Sequence, residues 1–294
     1  MGSKKIIVTG ASSGFGLLAI AALARRGHQV LAALRGGPDR LTKVVSELPA
    51  EISGPLMHAI REGQVKGVQI EMTQRESFEA IKGEIESHWE GECNVLVNNA
   101  GLGVLGPFEL NQEKDLRYQM EVNFFGLYFL TQTLLPYLRK SQGTVINLSS
   151  IAGLCGIPMY SAYNASKFAV EGMSEALFYE MKDFGVKVAL IEPGGFKTSF
   201  VKNASYGDQS FQSHPIYGDK VKAIETMMKE RGQRAAPGPE PVVQRIVSLC
   251  ESNNPRYRNV IGKDAKAAWW SNRLLPHQLF LTITHRIFKK LVKF

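Results

Sequence analysis

The sequence has few cysteines and no long apolar run. Its 294 residues include three scattered cysteines, at positions 93, 155 and 250, and no CxxC pair. This usage argues against a zinc site or a disulfide framework, so we expect no metal site and a reducing compartment. The chain contains no run of about 18 uncharged apolar residues, so no transmembrane helix is predicted. The first residues lack the apolar region of a secretory signal. The expected location is therefore the cytoplasm.

Acidic residues are absent after Asp264. The formal net charge is +8, of which six charges belong to basic residues in 265–294 and two remain for residues 1–264. Because the basic balance belongs to the tail, we expect no nucleic-acid binding by the main domain. Apolar residues make up 44% and charged residues 21% of the chain, which is ordinary for a soluble globular protein.

Strand and helix patterns alternate along the chain. Short apolar, β-branched runs predict seven strands, at 5–9, 29–34, 67–72, 94–97, 143–150, 186–191 and 259–262. Helical patterns cover 17–26, 41–48, 55–62, 75–89, 112–139 with a break near Pro136, the stretch after Tyr163, 219–231 and 240–252. The alternation predicts an α/β fold, a Rossmann-type doubly wound parallel sheet of about seven strands. We assign residues 1–264 to this single domain, with an irregular segment at 198–218, and residues 265–294 to a basic amphipathic C-terminal extension.

A glycine-rich turn separates the first strand from the first helix. Its sequence is Gly10-Ala11-Ser12-Ser13-Gly14-Phe15-Gly16. Glycines permit a tight turn and close approach of a pyrophosphate, whose charge meets the N-terminus of the helix. The spacing is GxxxGxG rather than GxGxxG, and a glycine turn can also be purely structural. Its place between a strand and a helix favours dinucleotide binding.

The second strand ends at Leu34-Arg35. A protein that binds NAD usually has a carboxylate here for the ribose hydroxyls, whereas an arginine suits the 2′-phosphate of NADP. Arg35 therefore favours NADP(H) over NAD(H). A solvated arginine at a strand end is the alternative.

Tyr163 and Lys167 are four residues apart at the start of a predicted helix, so both side chains lie on one face. A free phenol has a pKa of about 10, and acid/base work near pH 7 requires a shift of roughly three units. A cation at ~4 Å supplies a shift of about that size. We therefore expect Lys167 to lower the pKa of Tyr163, and the alternative is an unrelated pair of surface residues.

Six motifs in order resemble those of the short-chain dehydrogenase/reductase family. They are Thr9-Gly10-Ala11-Ser12-Ser13-Gly14-Phe15-Gly16, Asn98-Asn99-Ala100-Gly101, Asn123, Ser150, Tyr163-x-x-x-Lys167, and Pro193-Gly194 followed by Thr198. The resemblance extends from residue 5 to about 262. The segment 191–198 is similar to that of retinol- and hydroxysteroid-type members.

The resemblance implies catalytic roles for four residues. Tyr163 would exchange a proton with the substrate oxygen, which the Ser150 hydroxyl would hold. Lys167 would lower the pKa of the tyrosine and bind the nicotinamide ribose. Asn123 would hold a water molecule in a proton relay behind Lys167.

The resemblance also implies a cofactor site. Its residues would be Gly10, Ser12, Ser13, Gly14, Phe15, Gly16, Arg35, Glu71, Asn99, Ala100, Gly101, Tyr163, Lys167, Pro193, Gly194 and Thr198. The family often has aspartate at the position of Glu71, although glutamate can accept the same hydrogen bond. Members that prefer NADP often carry a second basic residue where this chain has Ser13, so Arg35 is expected to determine the preference alone.

The motifs together predict an NADP(H)-dependent oxidoreductase that interconverts an alcohol and its carbonyl. The apolar turn at 154–159 and the residues Phe196, Phe200 and Phe211 favour a lipophilic ketone, aldehyde, retinoid or steroid-like substrate. A non-catalytic NADP-binding sensor or scaffold on the same fold is the alternative, although the intact catalytic set argues against it. A second alternative is an epimerase or dehydratase of the extended relatives. Those proteins usually have the glycine spacing GxxGxxG and a longer substrate domain, and this chain has neither.

Two further partners are expected. The resemblance implies a homo-oligomer formed through the helices of Asn123 and Tyr163. The tail has an amphipathic pattern, because the residues within roughly 60° of Phe280 on a helical wheel are Ile283, Ile287, Leu291 and Phe294. The opposite side carries Arg286, Lys289, Lys290 and Lys293. Two alternatives stay open: a lid that packs over the pocket or on a partner subunit, and peripheral attachment of residues 272–294 to an anionic membrane surface.

Overall fold

The computed structural model describes residues 2–198, 200, 204, 209–230 and 236–292. Within them, seven parallel strands form one sheet in the order β3-β2-β1-β4-β5-β6-β7. The strands are β1 Lys5–Thr9, β2 Gln29–Leu34, β3 Val65–Gln69, β4 Val95–Asn98, β5 Thr144–Leu148, β6 Lys187–Pro193 and β7 Arg258–Ile261. The predicted doubly wound parallel sheet is therefore confirmed.

Helices connect and cover the strands. They are α1 Gly14–Arg25, α2 Gly37–Ser46, α3 Ala50–Arg61, α4 Glu79–His88, α5 Glu113–Met120, α6 Gly126–Lys140, α7 Ser161–Lys182, α8 Gly218–Glu230, α9 Glu240–Glu251, α10 Lys263–Leu274 and α11 His277–Val292. Part of the predicted irregular segment at 198–218 lies outside the described residues. Within the described part, residues 209–213 form a 3-10 helix.

Several element boundaries differ from the sequence expectation by a few residues, and two of the differences have a clear physical reason. The third strand was expected at 67–72, but β3 ends at Gln69 because its five residues pair with Val30–Leu34 and it stops where β2 stops. The break expected near Pro136 is wrong, since α6 continues to Lys140. Leu134 and Leu138, on either side of the proline, are fully buried, and this burial outweighs the roughly 3 kcal/mol that a proline costs inside a helix. The interruption lies instead in a π-helical turn at Glu121–Phe125.

The sheet is buried on both faces. Ile6 and Val8 of β1 pack in the cluster that contains α1 and α9, whereas Ile7 packs in the cluster that contains α4 and α6. Successive side chains of a strand point to opposite faces, so a strand between two helical layers is apolar throughout. The strand order reverses between β1 and β4, and ligands of such sheets bind beyond the carboxyl ends at that point.

The chain ends in two helices after β7. The domain boundary predicted at residue 264 falls in the first turn of α10 and stays a prediction. Helix α11 packs beside α8, and its residue Phe280 is only 5% exposed. Lys293 and Phe294 of the predicted amphipathic pattern lie outside the described residues. Within the described part, no helix is long and apolar enough to cross a bilayer.

Candidate active site

Tyr163 and Lys167 lie in the first two turns of α7 and are 8% and 5% exposed. The Lys167 Nζ atom donates a hydrogen bond to the carbonyl oxygen of Leu148, at the end of β5, over 2.8 Å. It lies 5.7 Å from the centroid of the Tyr163 ring. Because both side chains are buried side by side, the alternative of an unrelated surface pair is wrong.

Burial changes the acidity of both groups. It raises the pKa of the Tyr163 phenol to about 12, and a hydrogen bond with the Ser150 side chain opposes this shift. It lowers the pKa of Lys167 to about 8, while the Glu171 carboxylate one turn further along raises it. The expectation that Lys167 brings the phenol pKa near 7 is wrong for this arrangement, because desolvation of the phenol is the larger effect. At neutral pH Tyr163 therefore keeps its proton and can donate it.

Ser150 follows β5 at the start of a 3-10 turn, Ile151–Gly153. Its Oγ accepts a hydrogen bond from the backbone N–H of Ala152 at 3.1 Å, which caps the turn. The turn packs tightly on α7, since a Cβ atom added at Gly153 would lie 3.1 Å from the carbonyl oxygen of Lys167. This packing fixes the Ser150 hydroxyl relative to the Tyr163 phenol.

Asn123 lies in the π-helical turn between α5 and α6 and is fully buried. Its Oδ1 accepts from the backbone N–H of Leu102, and its Nδ2 donates to the carbonyl oxygen of Leu102, both at 2.9 Å. Nδ2 also donates to Ser166 Oγ at 3.1 Å. A Cβ atom added at Gly101 would lie 3.4 Å from Asn123 Oδ1 and 3.7 Å from Lys167 Nζ. Asn123 thus ties the chain after β4 to α7, directly behind Lys167, and its part in a proton relay stays a prediction.

The glycine turn is held against the end of β4. Gly10 has a φ of +66°, a conformation that favours glycine, and an added Cβ atom would lie 2.8 Å from Ala100 Cα. The Asn99 Nδ2 group donates to the carbonyl oxygens of Thr9 and Gly10, at 2.8 and 3.1 Å. Asn99 therefore fixes the shape of the turn. Space remains on the open side of Gly14, where an added Cβ atom would meet only Thr198, at 3.6 Å.

Two arginines lie where β2 passes into α2. Arg35 directly follows the strand, and the next two residues, Gly36 and Gly37, have φ of +81° and +55°. This turn brings Arg40, in the first turns of α2, back beside it: an added Cβ atom at Gly36 would lie 3.0 Å from Arg40 Cβ. Both arginines are exposed, and within the described part of the chain neither has a recorded ion pair. The sequence reasoning missed Arg40, although its position in the first turns of the next helix was a usable signal.

A cavity of about 1510 Å³ lies beyond the carboxyl ends of the strands. Sixteen predicted site residues line it, namely Gly10, Ser12, Ser13, Gly14, Phe15, Arg35, Glu71, Asn99, Ala100, Gly101, Ser150, Tyr163, Lys167, Pro193, Gly194 and Thr198. Gly16 and Asn123 do not line it and lie behind its wall. The volume exceeds the roughly 300–1,000 Å³ of a pocket for one small ligand. The residues present therefore fit a nicotinamide dinucleotide together with a second molecule.

The cavity has an apolar end around Tyr163. The ring of Phe200 packs on Tyr163 with centroids 5.2 Å apart, and Leu105 and Phe288 belong to the same cluster. Phe196 lines the cavity beside Phe15, as the apolar loop pattern predicts. Phe211 is buried but does not line the cavity, so it gives no support to the expected lipophilic substrate, which stays a prediction.

Helix α11 forms one wall of this cavity, which the sequence reasoning proposed only as one alternative. The lining residues of α11 are Phe280, Ile283, Thr284, Ile287 and Phe288. Phe280 is buried, but Ile283 and Ile287 are 37% and 52% exposed. The helix therefore covers the cavity with one face and presents a second apolar edge outward.

Behind Lys167, two buried acids share one arginine. Arg258 on β7 lies 3.0 Å from the Glu171 carboxylate and 2.7 Å from Glu192. Burial raises the pKa of Glu192 to about 8, helped by the neighbouring Glu171 and opposed by Arg258. Burial likewise raises the pKa of Glu171, which Ser149 and Arg258 oppose. Burial therefore favours the protonated form of both carboxyl groups, while Arg258 near both and Lys167 near Glu171 favour the charged form.

Comparisons with known proteins agree with this geometry. A family model described as short chain dehydrogenase matches residues 4–209. The chain is 34% identical over 258 residues to a 3-ketodihydrosphingosine reductase of Bacteroides thetaiotaomicron, covering 87% of each chain. It is 31% identical to retinol dehydrogenase 16 of Mus musculus, covering 93% of this chain and 85% of that protein. The crystal structure of a short-chain dehydrogenase from Streptomyces avermitilis has a TM-score of 0.77 and 29% identity, covering 98% of this chain and 99% of the other.

Proposed function

The chain belongs to the short-chain dehydrogenase family, oxidoreductases that act on CH–OH groups with a nicotinamide cofactor, and from this premise we propose its reaction. We propose that it interconverts a lipophilic carbonyl compound and its alcohol with NADP(H), and that Tyr163 is the acid/base. The observation that carries the proposal is the buried, protonated Tyr163 phenol at the apolar end of the cavity, next to Ser150 and Lys167.

The chemistry divides between the cofactor and the chain. When bound, the nicotinamide supplies or accepts the hydride. The Ser150 and Tyr163 hydroxyls hydrogen-bond to the substrate oxygen and polarise the carbonyl, and Tyr163 donates its proton as that oxygen gains charge. A phenol with a raised pKa is protonated at neutral pH, so it can donate this proton in carbonyl reduction. Lys167 keeps a positive charge near the developing phenolate.

Substrate class follows from the walls of the cavity. Phe200, Phe288 and Ile157 line the cavity near Tyr163, and burial of apolar substrate atoms against them stabilises the complex by roughly 25 cal/mol per Å². The names of two relatives, a 3-ketodihydrosphingosine reductase and a retinol dehydrogenase, refer to a ketosphingoid and to retinol, which are both lipids. We therefore favour a lipophilic ketone or aldehyde over a small polar one.

Arg35 and Arg40 support NADP(H) as the preferred cofactor. Both residues line the cavity at the end of β2, where a dinucleotide fold places the adenosine ribose. Neither has an acidic partner in the described ranges, so both are free to bind an anion. A 2′-phosphate would make charge-assisted hydrogen bonds with them.

Exposed aromatic residues support self-association. Phe125 and Tyr128, at the π-helical turn and the start of α6, are 38% and 39% exposed, and Phe168 on α7 is 47% exposed. These are the two helices through which the family resemblance implies a homo-oligomer. Light scattering after gel filtration tests this, and a Phe168→Glu variant should shift the mass toward the monomer.

The central experiment follows NADPH absorbance with a panel of lipophilic ketones and aldehydes. Tyr163→Phe should reduce kcat by about 10²–10⁴-fold and leave the Kd for NADPH within a few-fold. Tyr160→Phe, which removes a neighbouring phenol from the same cavity, should reduce kcat far less. Tight NADPH binding with no turnover of any carbonyl or alcohol would favour the sensor or scaffold alternative.

A further inference from the structure

The outer side of α11 carries an apolar stripe. Leu279, Ile283 and Ile287 are each four residues apart, so their side chains stack along one side of the helix. They are 46%, 37% and 52% exposed. A packed lid would bury these residues, yet among the described side chains of α11 only Phe280, on the inner side, is buried. The stripe is therefore an exposed apolar surface that no described part of the chain covers.

Basic residues border this stripe. Arg286 and Lys290 are also four residues apart. At about 100° per residue Lys290 falls close to Ile283 on the helical wheel, so the expectation that it lies opposite the apolar side is wrong. Both are exposed, and no ion pair is recorded for either within the described ranges. No acidic residue follows Asp264 in the sequence. An apolar stripe among unpaired cations matches the boundary between anionic lipid headgroups and acyl chains.

Helix α10 also carries exposed apolar side chains together with a basic residue. Trp270 and Leu274 are 52% and 72% exposed. The guanidinium of Arg273 lies 5.1 Å from the ring centroid of Trp269. Tryptophan and arginine side chains are favoured at a membrane interface, where one part is apolar and the other polar.

The stripe is continuous with the cavity. Ile283 and Ile287 line the cavity and are also exposed, so they form its rim, while Phe280 and Phe288 lie further inside. A molecule that leaves a lipid layer at this rim would pass directly onto the apolar wall near Tyr163. Continuity with the cavity distinguishes this surface from an apolar patch placed at random.

We propose that helices α10 and α11 seat the enzyme on an anionic lipid bilayer surface, and that a lipophilic substrate enters the cavity across the rim formed by Ile283 and Ile287. The entry route rests on the proposed function, whereas the seating does not. The occupant is a bilayer rather than a second copy of this chain, because copies meeting through this stripe would bring its cations together.

The test is sedimentation of the full-length protein with vesicles. Vesicles of about 30% phosphatidylglycerol in phosphatidylcholine should bind it at low salt, while vesicles of phosphatidylcholine alone bind it weakly. High salt should weaken the binding because the cations are exposed. Full-length protein that stays in the supernatant with anionic vesicles at low salt overturns the proposal.

Variants locate the surface. Arg286→Glu/Lys290→Glu should lower the partition onto anionic vesicles at least about tenfold, and Leu279→Ser several-fold; neither changes a residue that lines the cavity. The control, Lys114→Glu/Lys182→Glu, makes the same change of charge on exposed residues of α5 and α7 and should bind as the unaltered protein does. An equal loss of vesicle binding in the control and the test variants would mean that binding depends only on the net charge of the protein, which overturns the assigned surface. A change of oligomeric mass on Leu279→Ser without a change in vesicle binding would assign the stripe to a contact between copies instead.

Turnover is measured separately. Activity of Arg286→Glu/Lys290→Glu on a small soluble aldehyde should match the unaltered protein, while activity on a long-chain ketone dissolved in anionic vesicles should fall. An equal rate on the vesicle-borne ketone would overturn the entry route. Vesicle binding by a protein that turns over no carbonyl would leave the seating intact and refute the proposed function.

Discussion

Removal of the two arginines at the end of β2 gives the sharpest test of cofactor choice. A hydrogen bond to a charged group contributes about 1.5–3 kcal/mol, which corresponds to about 10- to 150-fold in Kd. Because Arg35 and Arg40 are exposed, we expect the lower end of this range. Arg35→Ala and Arg40→Ala should each weaken NADPH binding about 10-fold, and the double variant about 100-fold if the two contacts are independent. NADH, which lacks the 2′-phosphate, should change less than about twofold.

The assay is fluorescence titration of each cofactor, with kcat/KM for NADPH and NADH measured in parallel. Arg61→Ala is the matched control, since Arg61 is exposed at the end of α3 and does not line the cavity. Equal loss of NADPH and NADH affinity would mean that the arginines meet a group common to both cofactors. An unaltered protein that already prefers NADH would refute the reasoning outright. An effect of Arg35→Ala alone would support the sequence argument and remove Arg40 from the site.

Three further predictions concern two buried ionisable side chains and one closely packed glycine. Because burial lowers the pKa of Lys167 to about 8, kcat/KM for carbonyl reduction should fall above about pH 8, and Glu171→Gln should move this break in the pH–rate profile to lower pH. Glu192 has its pKa raised from 4.5 to about 8 in the folded protein, so the folded state binds the extra proton and the free energy of unfolding should fall as pH rises from about 4.5 through 8; denaturant titrations of Glu192→Gln should show a flatter decline, and an unchanged slope would contradict this. Gly10→Ala places a Cβ atom 2.8 Å from Ala100 Cα at a φ of +66°, so its Tm should drop by several degrees and its NADPH affinity should fall.

The local patterns were sufficient to predict the fold, and most of the predicted site residues line one cavity. Short β-branched runs between helical patterns predicted seven parallel strands, because a strand covered by helices on both faces must be apolar throughout. The glycine turn was recognisable since Gly10 needs a positive φ and a close backbone approach, both of which only glycine allows. The Tyr163–Lys167 pair was visible because a helix brings residues four apart onto one face.

Long-range packing decided what these local patterns left open. The sequence argument placed the Tyr163 pKa near neutrality from a single nearby cation, but desolvation by distant segments, among them Phe200 and Leu105, raises it instead. The sequence predicted a helix break at Pro136 because the lost hydrogen bond and the steric clash of a proline are local effects. The core contacts that offset this destabilisation are made with the sheet. Arg40 lines the cavity beside Arg35 only because of the Gly36–Gly37 turn.

The C-terminal helix shows the same division. The sequence periodicity of this helix was enough to predict that one side is apolar, since spacing along a helix determines which residues share a face. The sequence could not determine how much of that side is covered, because exposure depends on where α11 meets the rest of the fold. The tertiary structure decided that Phe280 closes the cavity while Ile283 and Ile287 remain at its rim. Residue spacing sets direction around a helix axis, and only packing with other elements sets burial.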